Sequence, residues 1–150
     1  MVLDKKKILE LIPHRPPFLW IDSVAELEAG VRCVALKFVD PAEALFEGHF
    51  PGNAILPGVL IIEAAAQTAA VMLGRSPVQR SVQENEHAAA GSHLLGAVHR
   101  FKFLKPVRPG SELRIETVKV AQLESIASVE ASVWVGDIQV AKGEFTVLAG

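Results

Sequence analysis

Apolar residues near the N-terminus recur at helical spacing. Ile8, Leu11 and Ile12 share one face of a segment that begins after Asp4, a candidate N-cap, and stops at Pro13. The pattern then changes period. Phe18–Leu27 and Val31–Val39 are rich in β-formers and joined by Glu28-Ala29-Gly30, which predicts a hairpin. Residues 40–53 carry the breakers Pro41, Gly48, Pro51 and Gly52 and predict irregular chain. Ile55–Leu73 is apolar almost throughout and predicts one long helix, with Pro57 in its first turn and Gly74 at its end. Residues 75–92 are polar and Ala-rich, a connection with a short helical turn over Ser81–Ala90. Four strands follow: Leu94–Leu104, then after the turn KPVRPGS, Glu112–Leu123, Ser125–Val135 and Ile138–Leu148. Leu113 and Ile115, then Val129, Ala131, Val133 and Val135, show the period of two. A helix, two strands, one buried helix and four strands predict a single α+β domain over residues 1–150: an antiparallel sheet packed around the central helix.

Composition adds an association state. Half of the residues are hydrophobic, with a mean hydropathy of +0.31, so apolar surface is expected to be covered in a homo-oligomer. A net charge of −2 argues against a general nucleic-acid binder. The lone Cys33 excludes an intramolecular disulfide and a cysteine-based metal site, and fits a reducing cytoplasm. The N-terminal MVLDKKKILELIPHR has no signal-peptide core, and Gly58–Leu73 is too short to span a bilayer. No membrane association is expected.

The candidate chemistry lies in FEGHFPGNAILPGVLIIEAAAQ, residues 46–67. Glu63 is the one ionisable residue between Asn53 and Gly74. Burial on all sides is expected to raise its pKa toward that of a general acid. Gln67, one turn later, can orient it by hydrogen bonding. The plainer reading is a carboxylate bonded to loop backbone or set at a dimer seam. His49, in Gly48-His49-Phe50-Pro51-Gly52, is a candidate base near neutral pH. A lone loop histidine is more often simply solvated, and the chain has four others. Gly58 opens the helix after Pro57, where a free N–H and the partial positive charge of the helix end suit an oxyanion. A Pro-Gly turn into a helix is also common without any such role. Together, a base, an oxyanion donor and an acid suit proton abstraction beside a thioester carbonyl, with loss or gain of a β-hydroxyl.

At these residues the chain resembles the β-hydroxyacyl-acyl-carrier-protein dehydratases of the FabZ/FabA hot-dog family, and its FabZ branch in particular. ILELIPHRPPFLWID, the block from Phe46 to Gln67, and FKFLKPVRPGSEL resemble that family's three ordered motifs. The resemblance implies a hot-dog fold, a bent antiparallel β-sheet wrapped around one long central helix. It implies a homodimer as the catalytic unit, often assembled into trimers of dimers, acting on an acyl carrier protein without metal or organic cofactor. It implies reversible dehydration of a (3R)-3-hydroxyacyl thioester to the trans-2-enoyl thioester. His49 would take the α-proton, Glu63 would assist departure of the hydroxyl, and Gly58 would polarise the carbonyl. His49 and Glu63 would come from opposite protomers. Phe50, Pro51, Pro57, Val59 and Gln67 would line or brace the acyl tunnel.

The chain departs from the family pattern in three places. Pro16 stands where a gating tyrosine is usual, His99 replaces an acidic residue, and Asn53-Ala54 replaces Lys/Asn-Pro. Glu63, where the isomerising branch usually has aspartate, leans against isomerisation. Arg100, Lys102, Lys105 and Arg108, and the run Lys5–Lys7, would steer an acidic carrier, or protect a solvated strand edge. Two other functions fit the same helix: a hot-dog acyl thioesterase, and a non-catalytic dehydratase-like protein that binds acyl carriers.

Overall fold

The computed structural model of the chain describes residues 1–74 and 93–149. Its elements are α1 (Lys5–Leu11), β1 (Ser23–Glu28), β2 (Arg32–Phe38), a 3-10 turn (Ala44–Glu47), α2 (Gly58–Leu73), β3 (His93–Phe103), β4 (Glu112–Leu123), β5 (Ile126–Val135) and β6 (Ile138–Ala149). The Asp4 carboxylate accepts from the Lys7 N–H at 2.9 Å and caps α1, a contact of the kind that contributes about 1 kcal/mol.

All strand pairs are antiparallel, in the order β1-β2-β4-β5-β6-β3. The sheet bends around α2. Cys33, Ala35, Leu113, Ile115, Val129, Ala131, Val133, Ala141, Phe145 and Val147 point inward and are buried. Ile61, Ala64, Ala65, Thr68, Ala69 and Met72 answer from the helix. The alanines keep the helix narrow, so strands can pack close to it. The Gly30 N–H donates to the Met72 carbonyl at 2.7 Å and pins the β1–β2 turn to the helix end. This is the hot-dog arrangement that the resemblance implies. Burial raises the Cys33 thiol pKa to about 12. Among the described residues no helix is long and apolar enough to cross a membrane.

Several expectations change. The long helix starts at Gly58, three residues later than predicted. Pro57 is its N-cap, with ψ 135, rather than part of its first turn. Leu56 precedes a proline and is biased to extended chain; its N–H instead donates to the Val107 carbonyl at 2.8 Å. Nor is α2 buried on all sides. Val59, Ile62, Glu63 and Ala66, at spacings of three, four and seven, form a stripe that one protomer leaves partly open. An apolar sequence cannot tell a helix buried within one chain from one finished by another chain. The stretch expected to be irregular contains the 3-10 turn, which buries Phe46. The helical turn expected over Ser81–Ala90 falls outside the described residues. Finally, β3 is exposed on both faces, with Leu94, Leu95, Val98 and Phe103 open at the edge of the sheet.

Candidate active site

His49 follows the 3-10 turn, and its N–H donates to the Leu45 carbonyl at 3.0 Å. Its peptide bond to Phe50 is cis. The chain then doubles back: Phe50 and Asn53 exchange backbone hydrogen bonds, and the Ile55 N–H reaches the His49 carbonyl at 3.0 Å. The fold-back brings the Ile55 carbonyl to 2.7 Å from His49 Nδ1. A carbonyl can only accept, so Nδ1 carries the proton and Nε2 is left as the basic nitrogen. The Phe50 ring stacks on the imidazole with centroids 4.0 Å apart. Arg108 Nη1 donates to Asn53 Oδ1 at 2.8 Å and ties this loop to the β3–β4 turn.

His49 and Gly58 line one cavity of about 470 Å³. The other walls are mostly apolar: Leu56, Val59, Ile61, Phe103, Leu104 and Val107 are among them. As the first residue of α2, Gly58 has an N–H with no partner within the helix. A Cβ at Gly58 would lie 2.8 Å from Phe103 Cζ, so the phenyl ring takes the space of the missing side chain. A side chain at this position would have to displace the half-exposed Phe103 ring, a packing cost separate from any role for the Gly58 N–H.

Glu63 does not line that cavity. One turn along α2, Gln67 Nε2 donates to Glu63 Oε1 at 2.9 Å. The Gln67 amide is fixed at both ends: its Oε1 accepts from the Trp20 N–H at 2.8 Å, and Nε2 also donates to the Phe18 carbonyl at 2.9 Å. On the other side His14 Nε2 lies 3.4 Å from Glu63 Oε1. Glu63 is half-buried. Burial pushes its pKa up, but the contacts with His14 and Gln67 outweigh burial, and the pKa lies below the ordinary carboxylate value. The expected upward shift is therefore reversed in the protomer. The larger of the two opposing contacts is His14, which stood in the sequence only as one of the histidines besides His49. Its place in PHRPP, ahead of a break into strand, was the available signal.

Of the residues expected to line or brace a tunnel, Val59 reaches the cavity and Gln67 is buried behind Glu63. Phe50 and Pro51 are exposed on the loop, and Pro57 caps the helix. The basic cluster divides. Lys105 lines the His49 cavity, and with Arg108 it borders a neighbouring hollow of about 400 Å³. Arg100 and Lys102 instead flank Glu130, Lys142 and Glu144 in a separate hollow. Among the described residues no cluster of three or more His, Cys, Asp or Glu is placed to hold a metal ion.

A family profile described as a FabA-like domain matches residues 12–144. The chain belongs to the FabA-like family. Within this FabA-like family it is 40% identical over 149 residues to the 3-hydroxyacyl-[acyl-carrier-protein] dehydratase FabZ of Pediococcus pentosaceus, covering 99% of this chain and 94% of that one. The FabZ of Staphylococcus saprophyticus is 45% identical over 115 residues, 77% of this chain and 73% of its own. Among solved structures, a chain of the dehydratase heterocomplex ApeI:P from Xenorhabdus doucetiae superposes with a TM-score of 0.74 at 18% identity, over 95% of this chain and 90% of that one. The protein PH1136 from Pyrococcus horikoshii gives a TM-score of 0.63 at 15% identity, over 100% and 95% of the two chains. Both structural likenesses bear on the fold.

Proposed function

We propose that this chain is a 3-hydroxyacyl-acyl-carrier-protein dehydratase of the FabZ type, converting (3R)-3-hydroxyacyl thioesters to trans-2-enoyl thioesters in fatty-acid biosynthesis. The observation that carries the reading is a histidine with its tautomer fixed by Ile55, sharing one apolar cavity with the N-terminus of α2. Unprotonated Nε2 takes the α-proton. Negative charge develops on the thioester oxygen and is met by the Gly58 N–H at the positive end of the helix. As the C–O bond breaks, Glu63 gives its proton to the hydroxyl, which leaves as water.

That Glu63 lies outside the His49 cavity of its own protomer supports a site built from His49 of one copy and Glu63 of another. The homodimer is then the catalytic unit. The open stripe on α2 and the apolar edge strand β3 support this, since both need a cover. Covering the stripe also removes water from Glu63, which raises its pKa toward that of a working acid. The substrate is carried by an acidic carrier protein, which Lys105 on the cavity wall and Arg108 on the neighbouring hollow would meet.

The deciding experiment supplies purified protein with a 3-hydroxyacyl thioester of the carrier. Enoyl formation, lost in both His49→Ala and Glu63→Gln, supports the dehydratase. Free thiol release without enoyl product would instead mark a thioesterase, and neither activity would mark a binding protein.

A further inference from the structure

Among the described residues Glu63 meets its neighbours through one oxygen. His14 Nε2 at 3.4 Å and Gln67 Nε2 at 2.9 Å both approach Oε1. Gln67 cannot turn away, because its own oxygen is held by the Trp20 N–H. His14 is committed in a different way. Its Nδ1 is buried without a hydrogen-bond partner, so the ring's polar contact is the one with the carboxylate. Arg15 stiffens the backbone beneath it. The guanidinium donates to the carbonyls of Leu9, Ile12 and His14 itself, at 3.0, 2.9 and 2.7 Å. The segment between α1 and β1 thus reaches this carboxylate on α2 directly through His14 and indirectly through Trp20 and Phe18, which hold Gln67.

We propose that His14 is a positioning residue for Glu63: with Gln67 it pins Oε1, leaving Oε2 as the oxygen that serves the departing hydroxyl. A carboxyl free to rotate about its last bond would present either oxygen. Held at Oε1 from two directions, it presents one. Placement errors of about 1 Å in such a group cost on the order of 100-fold in rate. Among the described residues His14 is the one charged or titratable group that shifts Glu63, so the contact can also be followed without turnover. The inference rests on the dehydratase reading.

The test uses the full-length protein, a 3-hydroxybutyryl thioester of the carrier, and the variants His14→Leu and His14→Gln. His14→Leu is expected to lower kcat by about 10- to 100-fold with KM within twofold. His14→Gln keeps an N–H donor and is expected to recover most of the loss. In parallel, the side-chain carboxyl carbon of Glu63 is followed by NMR across pH. Without His14, burial acts with less opposition, so the titration moves to higher pH in His14→Leu. A folded His14→Leu enzyme with wild-type kcat overturns the proposal. So does a rise in KM at constant kcat, or a His14→Gln enzyme no better than His14→Leu. If His14→Leu fails to fold in a thermal melt, the Glu63 titration in His14→Gln decides: it must still move up, because the histidine charge is gone, and an unmoved titration overturns the proposal. Full activity in Glu63→Gln would instead sink the dehydratase reading itself.

Discussion

Burial and contact act on Glu63 with opposite sign, and contact wins in the protomer. The sign has a thermodynamic consequence. A carboxylate whose folded pKa lies below its unfolded value of about 4.5 stabilises the fold at neutral pH. That contribution fades as pH falls below about 4.5 and through the lower folded value. In the separated protomer Glu63→Gln should therefore flatten the acid side of a plot of Tm against pH, and an unchanged slope there would show that the His14 contact does not persist in solution. Turnover should respond more sharply. Loss of either His49 or Glu63 is expected to lower kcat by about 100- to 10,000-fold. The direction of the Glu63 shift was not legible in the sequence. Its apolar neighbours on α2 were visible, but the opposing groups come from the N-terminal segment, and only tertiary packing brings them to the helix.

Among the elements, the strands were the most legible. The alternation in β4 and β5 reads one face of each strand directly as core, and predicted ends fall within a residue or two of the observed ones except at β1, which starts at Ser23, five residues after the predicted Phe18. The helix start was misplaced because Ile55 and Leu56 are apolar and suit either a helix or the extended chain that reaches Val107. Edge strand β3 carries a feature no periodicity reveals. Its ladder with β6 shifts register between His99 and Lys102, and Arg100 adopts a φ of 50. Phe101 then lies across Gly143, where a Cβ would come within 2.4 to 2.6 Å of the phenylalanine ring and its Cα. Because backbone is part of the obstruction, Gly143→Ala is expected to cost about 1–3 kcal/mol. A thermal melt with an unchanged midpoint would refute this. Gly58 differs, since its obstruction is a half-exposed side chain. Gly58→Val with Phe103→Ala relieves the packing conflict yet still crowds the helix N-terminus. That double variant is expected to fold normally and turn over poorly, and wild-type kinetics would remove the Gly58 N–H from the mechanism.

At the scale of the whole molecule, two surfaces ask for the same kind of cover. The stripe Val59, Ile62, Glu63 and Ala66 on α2 and the apolar residues of β3 are left open in one copy. High hydropathy predicts an oligomer but does not say which faces would meet. If the site spans two copies, mixing His49→Ala and Glu63→Gln protein should restore part of the activity, because one of the two composite sites is then intact. No recovery in verified mixed dimers would place the whole site in one chain. Charged substitutions at Leu95 and Val98 should shift the mass in light scattering toward the monomer and lower activity with it.

Cys33 makes such mixing experiments practical. Its thiol is fully buried, and its pKa near 12 leaves almost no thiolate at neutral pH. To a maleimide the folded protein is in effect cysteine-free. A single cysteine placed at Leu123, which is 75% exposed in the β4–β5 hairpin, would then carry the dye alone. Donor- and acceptor-labelled populations could report subunit exchange in real time, without first removing a residue from the core.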